Sequence, residues 1–108
     1  LLRRVFVNLL DNAIKYTGRE GTVAVSSQVV AKEVTIQIRD TGEGIPREHL
    51  PHIFERFYRV DAARRGDGNG AGLGLAICQA ILRNLEGKIS VQSAVGKGTT
   101  FTVTLPRP

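Results

Sequence analysis

Apolar side chains open the chain at helical spacing. Leu2, Val5, Phe6, Leu9, Ala13 and Ile14 fall on one side of a helix predicted over Leu1 to Thr17. Gly18 follows as its stop signal. The period then shortens to two, and Thr22 to Val30 and Glu33 to Asp40 read as strands. In the second strand Val34, Ile36 and Ile38 alternate with Thr35, Gln37 and Arg39, which gives one buried and one wet face. The short link between the strands predicts an antiparallel hairpin.

Thr41 to Pro46 is a glycine turn, and Arg47 to Phe57 reads as a pair of short helical turns interrupted by Pro51. Arg59 to Ala71 has few large apolar side chains and reads as a mobile loop. Gly72 to Glu86 predicts a second long helix, with Leu73, Ile77, Ala80, Ile81 and Leu85 on one side and Gly87 ending it. Lys88 to Ala94 and Thr99 to Leu105 close the chain as strands, with a turn at Gly96, Lys97 and Gly98 between them. This order predicts an α+β two-layer sandwich, with helices on one face of a mixed, mostly antiparallel sheet.

The chain has 108 residues, enough for one domain spanning 1–108. An apolar fraction of 42% and a charged fraction of 23% favour a compact core over disorder. Cys78 is the only cysteine, which excludes an internal disulfide and a cysteine-rich zinc module. No apolar run is long enough to span a bilayer, and no signal-peptide pattern opens the chain. It contains no Met and opens on a helical pattern without a capping residue, so it is expected to begin inside a longer protein. The net charge of +5 fits an anionic partner of any kind, or simply a solvated basic surface.

Three groups of residues could carry chemistry. On the first helix, Arg4, Asn8, Asp11, Asn12 and Lys15 lie opposite the apolar stripe. Asn8 and Asn12 offer amide oxygens of the kind Mg²⁺ shares with phosphate, and Lys15 could meet a phosphate. A solvent-facing polar stripe has the same pattern. Second, Asp40 ends a strand and enters Thr41-Gly42-Glu43-Gly44, where an acceptor-only carboxylate could read an amino group. Third, Gly70-Ala71-Gly72-Leu73-Gly74-Leu75 runs into a helix, whose amides and dipole suit phosphate. A loop precedes this run instead of a strand, so it is no dinucleotide fingerprint. Gly96-Lys97-Gly98-Thr99 is no Walker loop, because Val91 stands where a glycine is needed and a strand follows. His49 and His52 could form a metal site with Glu48 and Glu55, but loop packing is the simpler reading with Pro51 between them.

Taken in order, these segments resemble the boxes of a sensor histidine kinase catalytic domain. Asn8-Leu9-Leu10-Asp11-Asn12-Ala13-Ile14-Lys15-Tyr16 is similar to the N box, and Asp40-Thr41-Gly42-Glu43-Gly44-Ile45 to the first glycine box. Ile53-Phe54-Glu55-Arg56-Phe57-Tyr58-Arg59 resembles the F box, Gly70 to Leu75 the second glycine box, and Gly96 to Thr99 the closing glycine turn. The resemblance extends to the ATPase superfamily shared with gyrase, the Hsp90 chaperones and mismatch-repair ATPases.

The resemblance implies a Bergerat-type ATP-binding fold that holds ATP and Mg²⁺. Asn12 would ligate the metal with Asn8 close by, and Lys15 and Arg59 would meet phosphate. Tyr16 would pack on the nucleotide, and Asp40 would accept the adenine amino proton. Gly42, Gly44, Ile45 and Thr99 would shape the pocket. Gly70, Gly72, Leu73 and Gly74 would give backbone amides to the phosphates, with Leu75 beside them. Phe54 and Phe57 would anchor a lid formed by Arg59 to Ala71.

No residue of this chain is implied as catalytic. The resemblance implies that the phosphate goes to a histidine on a separate dimerisation domain, within two-component signalling through a response regulator. His49 and His52 do not match that acceptor. It also implies a monomeric piece, lacking the family's preceding strand, inactive without its acceptor domain and located in the cytoplasm, with a parent of the inner-membrane sensor type. Two other readings are a nucleotide-binding module without transfer and a nucleic-acid binder. Only net charge suggests the latter, and two Tyr and four Phe give it little to stack bases on.

Overall fold

The computed structural model describes residues 1–58 and 73–107. Helix α1 spans Leu2–Tyr16 and buries Val5, Leu9 and Ala13, one residue per turn of the predicted stripe. Lys15 sits in its last turn, where a cation complements the helix dipole. The helix does not stop through a left-handed Gly18. Instead Thr17 turns extended, at φ −97° and ψ 129°, while its amide still donates to the Ala13 carbonyl at 3.0 Å. A β-branched residue favours that extended backbone, so the chain leaves the helix before the glycine.

The strands are β1 (Val23–Val30), β2 (Glu33–Asp40), β3 (Lys88–Ala94) and β4 (Gly98–Pro106). They form one sheet of order β1-β2-β4-β3, and every pairing is antiparallel. The predicted hairpin is present, with Ala31 and Lys32 as its turn and Ala31 at φ 52°. Ile38 lies opposite Phe101, and Phe101 opposite Val91, so three strands present one apolar face. That face meets the buried side of α1 and of a second helix, α2 (Gly74–Asn84), which contributes Cys78, Ile81 and Leu82. The predicted two-layer α+β sandwich is therefore the observed one.

A 3-10 helix spans Arg47–His52 and runs through Pro51 without interruption. So short a helix needs few amide donors, and the fixed φ of proline suits its geometry. Two hydrogen-bonded turns follow, from Glu55 N–H to His52 O and from Tyr58 N–H to Glu55 O. The predicted loop from Arg59 to Ala71 and the predicted helix start at Gly72 lie outside the described residues. Helix α2 ends in a Schellman motif: the Gly87 amide donates to Leu82 O at 2.7 Å, and Glu86 to Arg83 O at 3.1 Å. The left-handed residue is Glu86, at φ 62°, not Gly87. Gly87 is required for space instead, since a β-carbon there would lie 2.6 Å from the Thr104 carbonyl oxygen.

Candidate functional site

The helix-covered rows of three adjacent strands turn polar at the same end of the sheet. On β2, Ile36 and Ile38 lead to Asp40; on β4, Val103 and Phe101 lead to Thr99; on β3, Ile89 and Val91 lead to Ser93. Register places the three polar residues side by side, Asp40 opposite Thr99 and Thr99 opposite Ser93. Asp40 is only 6% exposed and Thr99 7%. A carboxylate so placed needs donors. Its Oδ1 accepts the Gly42 amide at 2.8 Å, which folds the glycine turn back over it.

Ser93 organises the floor of this end. Its hydroxyl accepts the Ile45 amide at 2.8 Å and donates to Gly98 O at 3.0 Å. Its one proton is then engaged, so Thr99 Oγ1, 2.8 Å away, donates to it. Sequence reasoning missed Ser93. The available signal was a polar residue in an inward-facing position after Ile89 and Val91.

Close backbone approach explains two of the predicted glycines. A β-carbon at Gly42 would lie 2.3 Å from the Tyr16 carbonyl oxygen and 3.0 Å from Asp40 Oδ1. Gly44 is left-handed, at φ 79°, and a β-carbon there would lie 2.2 Å from the Ala94 carbonyl oxygen. The first contact seats the C-terminal end of α1 against the Asp40 turn, so Tyr16 and Asp40 share one neighbourhood. Lys15 Nζ lies 5.8 Å from the centre of the Tyr16 ring.

The polar side of α1 also reaches α2. Asn8 Nδ2 donates to Gly74 O at 3.4 Å, joining two segments 66 residues apart. Asn12 lies one turn further along α1, toward Tyr16. Leu73 occupies the cap position of α2 and Gly74 its first turn, whose amides have no partner within the helix. The Leu75 side chain packs against the core. Below Asn8, burial pushes the Cys78 thiol above its usual range, partly offset by a hydrogen bond with Asn8. The structure thus brings Asn8 to the start of α2 and the Tyr16 carbonyl to Gly42 and Asp40, with Thr99 beside Asp40, Ile45 joined to Thr99 through Ser93, and Gly44 against Ala94. Arg59, Gly70 and Gly72 lie outside the described residues.

The F-box segment divides. Phe54 meets Phe101 edge-on, with ring centres 6.3 Å apart, and so anchors to the core. Phe57 instead has a left-handed backbone at φ 69° and is 64% exposed, with Arg56 over its ring. Phe54 thus packs on the core while Phe57 does not, and the lid the two were expected to anchor lies outside the described residues. His49 is hydrogen-bonded to the Tyr58 hydroxyl, and His52 to Glu55 at 2.7 Å while stacking on Tyr58. These contacts are the loop packing expected of the two histidines. No cluster of three or more His, Cys, Asp or Glu side chains suited to a metal occurs among the described residues.

A buried strand-end carboxylate, glycines opening a cleft beside it and a polar helix face joined to a second helix start together suit a flat base linked to phosphates. Comparison with known proteins decides the family. Residues 1–108 match the family described as histidine kinase-, DNA gyrase B-, and HSP90-like ATPase. The chain belongs to this family.

Its relatives lie in the sensor histidine kinase branch, and the chain is a catalytic ATP-binding domain of that type. It is 47% identical to the sensor protein SrrB of Staphylococcus aureus over 105 residues, which is 97% of this chain and 18% of SrrB. Among solved structures it resembles the mycobacterial sensor histidine kinase MprB at a TM-score of 0.84 and 36% identity, over 97% of this chain and 72% of that one. Full-length ShkA in complex with AMPPNP gives a TM-score of 0.84 and 31% identity, over 97% of this chain and 21% of that one. The chain thus spans under a fifth of the curated relative. No described helix is long and apolar enough to cross a membrane.

Proposed function

We propose that the chain binds Mg-ATP and presents the γ-phosphate to a histidine on a separate dimerisation domain, in the two-component signalling of a larger sensor kinase. The observation that carries this reading is the buried Asp40 carboxylate, fixed by the Gly42 amide beside Tyr16 and Thr99. In this role Asp40 accepts the adenine amino proton, Tyr16 packs on the nucleotide, and Gly42, Gly44, Ile45 and Thr99 shape the base pocket. Lys15 and Arg59 contact phosphate. Gly70, Gly72, Leu73, Gly74 and Leu75 line it with backbone amides at a helix start.

Asn12 and Asn8 fit a magnesium ion shared with phosphate, because both are neutral oxygen donors one turn apart on α1. The ion would neutralise phosphate charge, and the side chains would fix where it sits. Such transfer rests on positioning and charge neutralisation, which suits a domain that needs no nucleophile of its own. The histidine-bearing domain and a response regulator are the partners of this reading, and the cytoplasm its compartment.

The metal role is tested by titrating the chain with a non-hydrolysable ATP analogue, with and without Mg²⁺. Asn12→Ala should weaken Mg²⁺-supported binding about tenfold and leave binding without Mg²⁺ nearly unchanged. An equal loss in both conditions would contradict the ligand role.

A further inference from the structure

Helices α1 and α2 meet along a seam in which Asn8 has two partners on α2. Gly74 and Cys78 stand four residues apart on α2 and share one of its faces. Val5 and Asn8 stand three apart on α1 and share another. Cys78 is fully buried, and its thiol donates to the Val5 carbonyl at 3.7 Å. Its proton is then engaged, so what the sulfur offers Asn8 is a lone pair.

These partners decide which way the Asn8 carboxamide faces. The Gly74 carbonyl can only accept, so the Asn8 atom 3.4 Å from it is the nitrogen. One hydrogen of Nδ2 goes to Gly74 O and the other to the Cys78 sulfur. Both donors of the side chain are thereby spent on α2. The group is planar, so a nitrogen turned into the seam turns Oδ1 out of it. Asn8 is only half-buried, and Oδ1 accepts from no described residue.

We propose that Cys78 is a positioning residue for the metal. Together with the Gly74 carbonyl it holds Asn8 nitrogen-inward and oxygen-outward, the orientation in which a neutral oxygen donor meets Mg²⁺. Cys78 touches neither metal nor nucleotide and acts through Asn8. The bond to Gly74 also ties this oxygen to the first turn of α2, whose amides face the phosphates in the same reading. The inference rests on the Mg-ATP reading above.

The test is the magnesium response, the ratio of affinities for a non-hydrolysable ATP analogue with and without Mg²⁺. Cys78→Ala should cut that ratio about three- to tenfold, a modest outer-shell effect because sulfur accepts weakly. Cys78→Ser should keep it, since a hydroxyl can accept from Asn8 and donate to Val5 O. A purely structural Cys78 would lower the unfolding temperature and both affinities together, leaving the ratio alone. A second readout needs no metal. In the nucleotide-free chain, both side-chain amide hydrogens of Asn8 should exchange slowly by NMR, and one of them should become fast in Cys78→Ala. If the variants do not fold, exchange in the unsubstituted chain decides, and two fast hydrogens would overturn the proposal. An unchanged ratio in Cys78→Ala, with Asn12→Ala still losing its magnesium response, would overturn the Cys78 role and leave the ATP reading standing. An unsubstituted chain with no magnesium response would overturn the metal reading with it.

Discussion

Strands β1 and β2 are the two arms of one hairpin, eight residues each, and they alternate in matched register. Val25 stands opposite Ile38 on the same face of the sheet. Yet Val25 is 57% exposed and Ile38 only 1%. The difference lies above the sheet. Helix α1 packs against β2, and the core it shares with α2 runs over β2, β4 and β3, reaching β1 only at Val23. Alternation thus marks a face, while the neighbouring layer decides whether that face is buried. The same cover encloses Asp40, two residues past Ile38, so one packing contact builds both core and site.

The comparison can be broken by substitution on either side of it. Phe101, opposite Ile38 and 2% exposed, should cost about 3–5 kcal/mol as Phe101→Ala, from lost transfer energy and the cavity left behind. Val25→Thr keeps the β-branched shape on the uncovered arm and should change stability by less than about 0.5 kcal/mol. Denaturant unfolding monitored by circular dichroism measures both. A loss at Val25 near that at Phe101 would mean that the inner face of β1 is covered after all.

A smaller effect sharpens the account on the other helix. Glu86 holds a left-handed backbone in the Schellman motif that ends α2. Glu86→Gly relieves that strain, partly offset by greater freedom of the unfolded chain, and should raise stability by about 0.5–1 kcal/mol. A drop in the denaturation midpoint would show that the Glu86 side chain has a stabilising contact outweighing the strain.

The sequence revealed most of the elements because their periods are clean. The stripe from Leu2 to Ile14 and the rows Val34-Ile36-Ile38 and Phe101-Val103-Leu105 each named their element, although Ile14 itself is exposed. Helix ends were less legible. Glycine was read as the stop at Gly18 and Gly87, whereas Thr17 and Glu86 take the decisive backbone angles. At Thr17 the extended preference of a β-branched residue sets the end, and at Gly87 the close approach of the Thr104 carbonyl, so neither end rests on the left-handed freedom of glycine. For the site, the boxes named Asp40 and its glycines, while Ser93 was marked only by a polar residue interrupting an apolar row. Its importance comes from cross-strand register and from its hydrogen bonds to Ile45, Gly98 and Thr99, which exist only once the chain has folded. Phe57, which the F-box resemblance implied as a lid anchor, is mostly exposed, and the lid itself lies outside the described residues.

The central claim is that the buried carboxylate at the end of β2 reads an adenine base. Calorimetric titration of the chain with a non-hydrolysable ATP analogue, beside Asp40→Asn, tests it most directly. The substitution keeps the side-chain shape and replaces an acceptor oxygen with a donor. The account predicts saturable binding by the unsubstituted chain and a loss of about a hundredfold or more in Asp40→Asn, with the fold retained. Comparable affinity in the two proteins would contradict it.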